Sequence, residues 1–133
     1  MNARMNNALN QYAKVGTSAG VAAANPHRLI QMLMDGALEK IATAKGHMQR
    51  GEMEQKGRYI NWAISIISGL ASSLDKSQGG ELAERLDDLY IYMNDQLFKA
   101  NAENNPAKLD EVAGLMREVK MGWDAISNTV NNP

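Results

Sequence analysis

The sequence predicts an all-α protein, an antiparallel up-down four-helix bundle preceded by a mobile N-terminal segment. Apolar residues recur at steps of three and four along four stretches of similar length, which is the period of one helical face. Short interruptions rich in Gly, Asn and Pro separate these stretches, and such short connections make consecutive helices antiparallel. Because no stretch bounded by turn residues alternates strictly between apolar and polar residues, a β-sheet is not expected.

Residues 1–24 differ in composition from the rest of the chain. They are rich in Asn, Ala, Gly and Ser, so they can bury little apolar surface and are expected to be mobile. The bundle domain is placed at residues 25–128, and a disordered tail is placed at residues 129–133. The first residues contain no apolar core of a signal peptide, and no apolar run is long enough to span a membrane. The cytoplasm is therefore the expected location.

The first helix has a clear predicted start. Asn25 is a good N-cap, and Pro26 suits the first helical position because its missing N–H would have no partner there. The helix is expected to continue to about Met48 and to stop at Arg50-Gly51. Its apolar face contains Ile30, Leu33, Ala37, Ile41, Ala44 and Met48.

The second and third helices are expected at about residues 52–74 and 81–101, with the glycine-containing segment 75–80 as a break between them. Both have apolar residues at the helical period. The second helix carries Ile60, Ile64, Ile67, Ala71 and Leu74 on one face. The third helix is expected to bury Leu82, Leu86, Leu89, Met93, Leu97 and Ala100.

The fourth helix opens with Asn104-Asn105-Pro106, which repeats the cap-and-proline signal of the first helix. Its apolar face contains Leu109, Val112, Met116, Val119, Trp123 and Ile126. Four helices of similar length, joined by short turns, can bury their apolar faces against one another in a single bundle.

The composition excludes several kinds of function. The chain has no cysteine, which removes disulfides, thiolate nucleophiles and cysteine-based zinc sites. Its 14 basic and 15 acidic residues nearly balance, so no nucleic acid partner is expected. A di-iron bundle would need Glu-x-x-His pairs, but Ala24 and Ala44 stand three residues before His27 and His47. The chain is therefore expected to be no enzyme and to have no catalytic, cofactor-binding or metal site.

One short motif keeps a chemical alternative open. His47-Met48-Gln49-Arg50-Gly51 has the form of the His-x-x-Lys/Arg-Gly signature of histidine phosphotransfer bundles. That function requires a solvent-facing histidine in mid-helix, whereas His47 is predicted at a helix end, where its charge would suit the helix dipole. Phosphotransfer through His47 is therefore the alternative function.

Several large apolar residues fall outside the predicted core faces. On the second helix, Tyr59 and Ile66 lie at the edge of the core face, and Trp62 lies farther round. On the third helix, Ile91 and Phe98 point away from the core. If the two strips adjoin, they form an apolar patch that suits a partner helix or weak self-association. These five residues are the predicted partner-binding residues.

Four blocks of the sequence resemble the flagellar secretion chaperones of the FliS type. The first block is NPHRLIQMLMDGAL at residues 25–38. The others are AISIISGL at residues 63–70 with Leu74-Asp75, GGELA at residues 79–83 with Leu86, Leu89-Tyr90 and Tyr92-Met93, and finally Trp123. The blocks occur in the family's order and spacing, and the resemblance covers about residues 12–127.

The resemblance implies a cytoplasmic bundle that binds the C-terminal segment of flagellin, prevents its premature polymerisation and delivers it to the export gate protein of flagellar type III export. It also implies a client wrapped around the outside of the bundle, where it would cover the off-core strips. Residues 1–24 resemble the family's cap, which covers part of the client groove. The family's pattern of an apolar residue three positions before a tyrosine, associated with docking at the export gate, falls on Leu9 and Tyr12.

Overall fold

The structure is a computed structural model that describes the backbone of residues 25–131 and the side chains of residues 25–126. Within this range the chain forms four α-helices: α1 (Pro26–Gln49), α2 (Met53–Ser72), α3 (Lys76–Glu103) and α4 (Pro106–Asn131). Each helix packs against the next along the chain, and α4 also packs against α1. This ring of contacts closes around one apolar core, which confirms the predicted up-down four-helix bundle. The predicted mobile segment, residues 1–24, lies outside the described residues.

Side-chain caps mark the starts of three helices. At α1, Asn25 Oδ1 accepts a hydrogen bond from the backbone N–H of Arg28 at 2.7 Å, as the predicted N-cap requires. At α3, Asp75 Oδ1 accepts hydrogen bonds from two backbone N–H groups of the first turn. At α4, Asn105 Oδ1 accepts one from the backbone N–H of Ala107 at 3.0 Å. Each cap satisfies donors that a helix start leaves without an intrahelical partner.

The start of α3 differs from the prediction. The sequence indicates a break over residues 75–80, whereas the helix begins at Lys76 because Asp75 caps it. A kink remains at Gly80, whose φ of 53° and ψ of −130° interrupt the helical backbone. That conformation is open to glycine and strained for a residue with a Cβ. At the other end of the chain, α4 continues to Asn131, beyond the predicted domain end at residue 128.

The core runs along the bundle axis and consists mainly of aliphatic and methionine side chains. All four helices supply its fully buried large side chains, which are Leu33, Met34, Ile60, Ile66, Ile67, Leu70, Met93, Leu97, Leu109, Val112 and Met116. Replacing one such leucine or methionine by alanine costs about 2–5 kcal/mol, because its transfer free energy is lost and a cavity remains. The predicted core faces therefore hold along most of each helix.

Three positions correct the predicted core. Ile66 is fully buried, so the prediction that it lies at the edge of the core face and meets a partner is wrong. The apolar face of α2 is wider than one stripe because this helix packs against both α1 and α3. In the opposite sense, Leu82 is 61% exposed and Ile126 is 42% exposed, although both are predicted core residues. Both lie near the same end of the bundle, where fewer neighbours enclose a side chain.

Candidate functional site

An apolar cavity of about 570 Å³ opens at one end of the bundle. It lies where α1 and α3 begin and where α2 and α4 end, and every helix contributes to its wall. The apolar part of the wall includes Ile30, Met34, Leu70, Leu74, Leu86 and Val119. Ligand pockets usually have volumes of about 300–1,000 Å³ and mostly apolar linings, and this cavity has both properties. It is therefore the candidate binding site of the described fold.

Two exposed apolar side chains extend the cavity wall towards solvent. Leu82 of α3 and Ile126 of α4 both line the cavity, and both are exposed to water in part, Leu82 to 61% and Ile126 to 42%. Covering such side chains with an apolar partner contributes roughly 25 cal/mol per Å² of surface removed from water. The mouth of the cavity thus offers an apolar rim to a partner side chain or helix.

His27 and Trp123 form a polar part of the same wall. Their rings stack with centroids 4.5 Å apart and planes 7° apart, so the first turn of α1 is joined to the last part of α4. Trp123 Nε1 donates a hydrogen bond to the His27 carbonyl oxygen at 3.0 Å. His27 is only 5% exposed, and within the described structure its Nε2 atom is buried without a hydrogen-bonding partner. The wall beside the cavity therefore encloses one polar atom that has no hydrogen-bonding partner among the described residues.

A polar network on the α1–α4 face holds this end of the bundle together. Gln31 Nε2 donates to Asp124 Oδ1 at 2.6 Å, and Lys120 Nζ donates to Asp124 Oδ2 at 2.8 Å. The same ammonium group lies 3.6 Å from Asp35. The hydrogen bond from Lys120 is the main cause that lowers the pKa of Asp124. These contacts fix α1 and α4 relative to each other beside the stacked rings.

Tyr59 and Trp62 lie between α1 and α2. Their rings stack at 5.7 Å, His47 stacks on Tyr59 at 5.3 Å, and the Lys40 ammonium lies 4.3 Å from the centroid of the Trp62 ring. Both aromatic residues are half-buried and pack against the core. The prediction that the Trp62 side chain lies well round from the core is therefore wrong. The pair keeps some exposed surface, and its contact with a partner stays a prediction.

Ile91 and Phe98 project into solvent from the outer face of α3. They are 59% and 68% exposed, which confirms that they lie outside the core. The ring contacts of Tyr59 and Trp62 run to side chains of α1, so that pair turns towards α1 and not towards α3. Contact of Ile91 and Phe98 with a partner also stays a prediction.

His47 lies in the last turn of α1, as predicted. Its Nδ1 atom lies 2.9 Å from Glu52 Oε1, and its half-buried ring stacks on Tyr59. This placement does not support phosphotransfer, which requires a histidine on the solvent face in mid-helix. Among residues 25–131, no three His, Asp or Glu side chains are grouped to hold a metal ion. None of the helices described in that range has the length and hydropathy of a membrane span.

The predicted site residues did not include His27 or the rim of the cavity. One signal for His27 is present in the sequence, because it precedes Ile30 by three residues and so falls on the core face, where a histidine is uncommon. The cavity has no such signal, since it depends on how far four helix ends extend past one another. Leu9 and Tyr12, the predicted gate-docking residues, lie outside the described residues.

The fold and the cavity define a helical-bundle protein with an apolar site at one end. The sequence model of the family described as "Flagellar protein FliS" matches residues 8–130. The chain is 52% identical over 121 residues to the flagellar secretion chaperone FliSB of Pseudomonas aeruginosa, which covers 91% of this chain and 96% of the relative. It is 40% identical over 128 residues to the flagellar secretion chaperone FliS of Vibrio cholerae, and this alignment covers 96% of this chain and 94% of the relative. The chain belongs to the FliS family, which confirms the resemblance seen in the sequence.

Proposed function

We propose that this chain is a flagellar export chaperone that binds the C-terminal segment of flagellin. The observation that carries the proposal is the apolar cavity with the exposed side chains of Leu82 and Ile126 at its mouth. The relatives are named flagellar secretion chaperones, which supports a protein client and a function other than catalysis. The chaperone holds its client in the cytoplasm, keeps it from polymerising prematurely and delivers it to the export gate.

Sequestration supplies the mechanism. A subunit that polymerises through apolar stripes on its terminal helices will assemble wherever those stripes are free. A chaperone that buries the same stripes removes them from the assembly equilibrium, and mass action then keeps the subunit unassembled. A client helix can present apolar anchors at positions i, i+3, i+4 and i+7 to the cavity and its rim.

The outer apolar residues extend the proposed client path. Ile91 and Phe98 stand exposed on α3, and Tyr59 and Trp62 leave part of their rings uncovered between α1 and α2. A client that continues from the cavity around the outside of the bundle would cover both pairs. Ile66 has no part in this path, because its side chain is fully buried.

Calorimetric titration with a peptide comprising the C-terminal segment of a cognate flagellin tests the client. We expect saturable one-to-one binding with a negative heat-capacity change, because apolar surface is buried on association. A scrambled peptide of the same composition is the control. No binding of the native peptide, or equal binding of the scrambled one, would overturn the proposal. Light scattering of the free chain separates client binding from self-association through the same surface.

We further propose that residues 1–24 act as a cap and that Leu9 and Tyr12 dock at the export gate. This segment lies outside the described residues, and its resemblance to the family pattern supports the proposal. Alanine at both positions of the full-length chain should lower flagellin secretion without lowering the affinity for the flagellin peptide. Secretion at the wild-type level would contradict the docking assignment.

A further inference from the structure

We propose that the first turn of α3, residues 76–79, is a hinged gate at the edge of the cavity, with Gly80 as its hinge and the Lys76–Asp87 ion pair as its latch. The latched form is the one that the structure shows, and release of the latch widens the mouth of the cavity for the client. The inference deepens the proposed function and rests on it, since the client that this gate turn admits is the C-terminal segment of flagellin.

Two consecutive glycines allow α3 to bend between the gate turn and the body of the helix, residues 81–103. Gly80 has a φ of 53° and a ψ of −130°, which residues with a Cβ rarely adopt. At Gly79, an added Cβ would lie 2.8 Å from the Cβ of Ala83, whereas Cβ atoms four residues apart on a regular helix are roughly 5–6 Å apart. The bend therefore brings the gate turn closer to the body of α3 than a regular helix would.

An ion pair holds the gate turn in this bent position. Lys76 Nζ lies 2.8 Å from Asp87 Oδ2, although the two residues are 11 positions apart along the chain. In a continuous helix that separation corresponds to a rise of about 17 Å, which is more than a lysine and an aspartate side chain can span together. The contact therefore exists only while α3 is bent at Gly80, and it breaks when the gate turn moves away from the body of the helix.

Few contacts fix the gate turn to the body of α3. Every residue from Asp75 to Leu82 is exposed, and Ala83 is the first buried residue of the helix. The ion pair is itself partly exposed, and exposed pairs contribute little to stability. A segment that buries so little apolar surface opens locally at a small fraction of the free energy of global unfolding. The gate turn can therefore move while the bundle stays folded.

The gate turn lies at the edge of the cavity. Leu74 precedes it by two residues, Leu82 follows it by three, and both line the cavity wall. Leu86, which also lines the wall, is adjacent to the latch residue Asp87. Because a single residue joins Leu74 to the gate turn, movement of the turn carries Leu74 away from the core against which it packs. A client that binds the apolar wall uncovered in this way shifts the population towards the open form.

Lys76→Met releases the latch, and Arg85→Met is its matched control. Both substitutions remove one cation near the start of α3, but Arg85 pairs with Glu81, four residues away on the regular part of the helix. In stopped-flow mixing we expect K76M to bind the flagellin peptide roughly two- to fivefold faster than wild type, because the open form is more populated. R85M should bind at the wild-type rate. Exchange of the two charges in Lys76→Asp/Asp87→Lys should restore that rate.

A distance measurement follows the gate turn directly. The chain has no cysteine, so spin labels can be attached at Gln78→Cys in the gate turn and at Ala102→Cys near the far end of α3, both exposed positions. Saturation with the flagellin peptide should lengthen the 78–102 distance towards the roughly 36 Å of a continuous helix. K76M should shift part of the distance distribution in the same direction without peptide. Glu84→Cys with Ala102→Cys is the control pair, whose distance should stay unchanged because both labels lie in the body of α3.

The outcomes separate the gate from the proposed function. Equal association rates of K76M and R85M, or a failure of the charge exchange to restore the wild-type rate, would overturn the gate while the client assignment stands. A 78–102 distance that neither K76M nor the peptide changes would do the same. Failure of the wild type to bind the peptide would overturn the proposed function, and with it the admission of this client by the gate.

Discussion

Lys56, a residue of α2, hydrogen-bonds the C-terminal end of the neighbouring helix α3. The residue is 6% exposed, and its Nζ atom donates to the Asn101 carbonyl oxygen at 2.9 Å and to Asn104 Oδ1 at 2.7 Å. The last carbonyl groups of a helix have no intrahelical partner, and the helix dipole favours a cation beside them. Lys56 of α2 therefore acts as a C-terminal cap for α3.

Lys56→Met tests this cap because it keeps the length of the side chain and removes its charge and donors. We expect the free energy of unfolding to fall by about 2 kcal/mol, since two hydrogen bonds from a charged group are lost. Lys99→Met is the matched control, because it removes an exposed ammonium paired with Asp95 on the same helix and should change that free energy by less than about 0.5 kcal/mol. Urea denaturation followed by circular dichroism compares the three proteins. Equal effects of the two substitutions would exclude the cap.

Asp124 should make the stability of the α1–α4 face depend on pH. Its pKa is lowered in the folded state, mainly by the hydrogen bond from Lys120. The resulting stabilisation is fully present above the unfolded-state pKa of about 3.9 and is lost as the pH falls through the lower folded-state pKa. The difference in unfolding free energy between wild type and Asp124→Asn should therefore be constant near neutrality and shrink below about pH 4. Urea midpoints over a pH series measure it, and a constant difference throughout would contradict the account.

Among the helices, predictions that rest on local chemistry succeed and those that rest on neighbours fail. The starts of α1 and α4 follow from asparagine caps and prolines that act within one turn. At α3 both local signals act, because Asp75 caps a helical turn that begins at Lys76 and the predicted glycine break is present as the kink at Gly80. Ile66 is misassigned because α1 and α3 together decide its exposure. His27 is missed because its ring partner lies 96 residues away in sequence.

Gly80 and Gly114 should respond to alanine in opposite ways. Gly80→Ala should lower the free energy of unfolding by about 1 kcal/mol or more, because the positive φ at the kink of α3 strains any side chain. Gly114→Ala should raise it by roughly 0.5–1 kcal/mol, because this glycine lies inside α4 and an added Cβ meets nothing within 4 Å. Urea denaturation gives both values. Changes of the same sign would contradict the backbone assignment at one of the two sites.

In the whole bundle, the side chains of the packed core and those at the mouth of the cavity differ in their exposure to solvent. The packed core along the axis contains the fully buried side chains, whereas the cavity end leaves part of an apolar wall open to solvent. The periodicity of the sequence predicts the packed core, because it shows which face of each helix is apolar. Periodicity cannot predict the open cavity, because the exposure of Leu82 and Ile126 there depends on which residues of the other helices lie beside them.

Substitutions of Leu70 and Leu82 should separate the stability of the fold from the binding of the client. Both residues line the cavity, but Leu70 is 1% exposed and Leu82 is 61% exposed. Leu70→Ala should lower the free energy of unfolding by about 2–5 kcal/mol. Leu82→Ala should change it by less than about 0.5 kcal/mol and weaken binding of the flagellin peptide. Denaturation and calorimetric titration of both variants measure the contrast. A loss of stability in L82A as large as that in L70A would place Leu82 in the core.

The stacking of Trp123 on His27 also gives the molecule an optical property. The chain contains two tryptophans, and only Trp123 lines the cavity among the described residues, whereas Trp62 lies beneath the Lys40 ammonium between α1 and α2. With Trp62→Phe, indole emission comes from the cavity wall alone. An occupant that displaces water from beside this indole shifts its fluorescence to shorter wavelength. The unlabelled protein therefore reports the filling of its own cavity by the colour of the light that it emits.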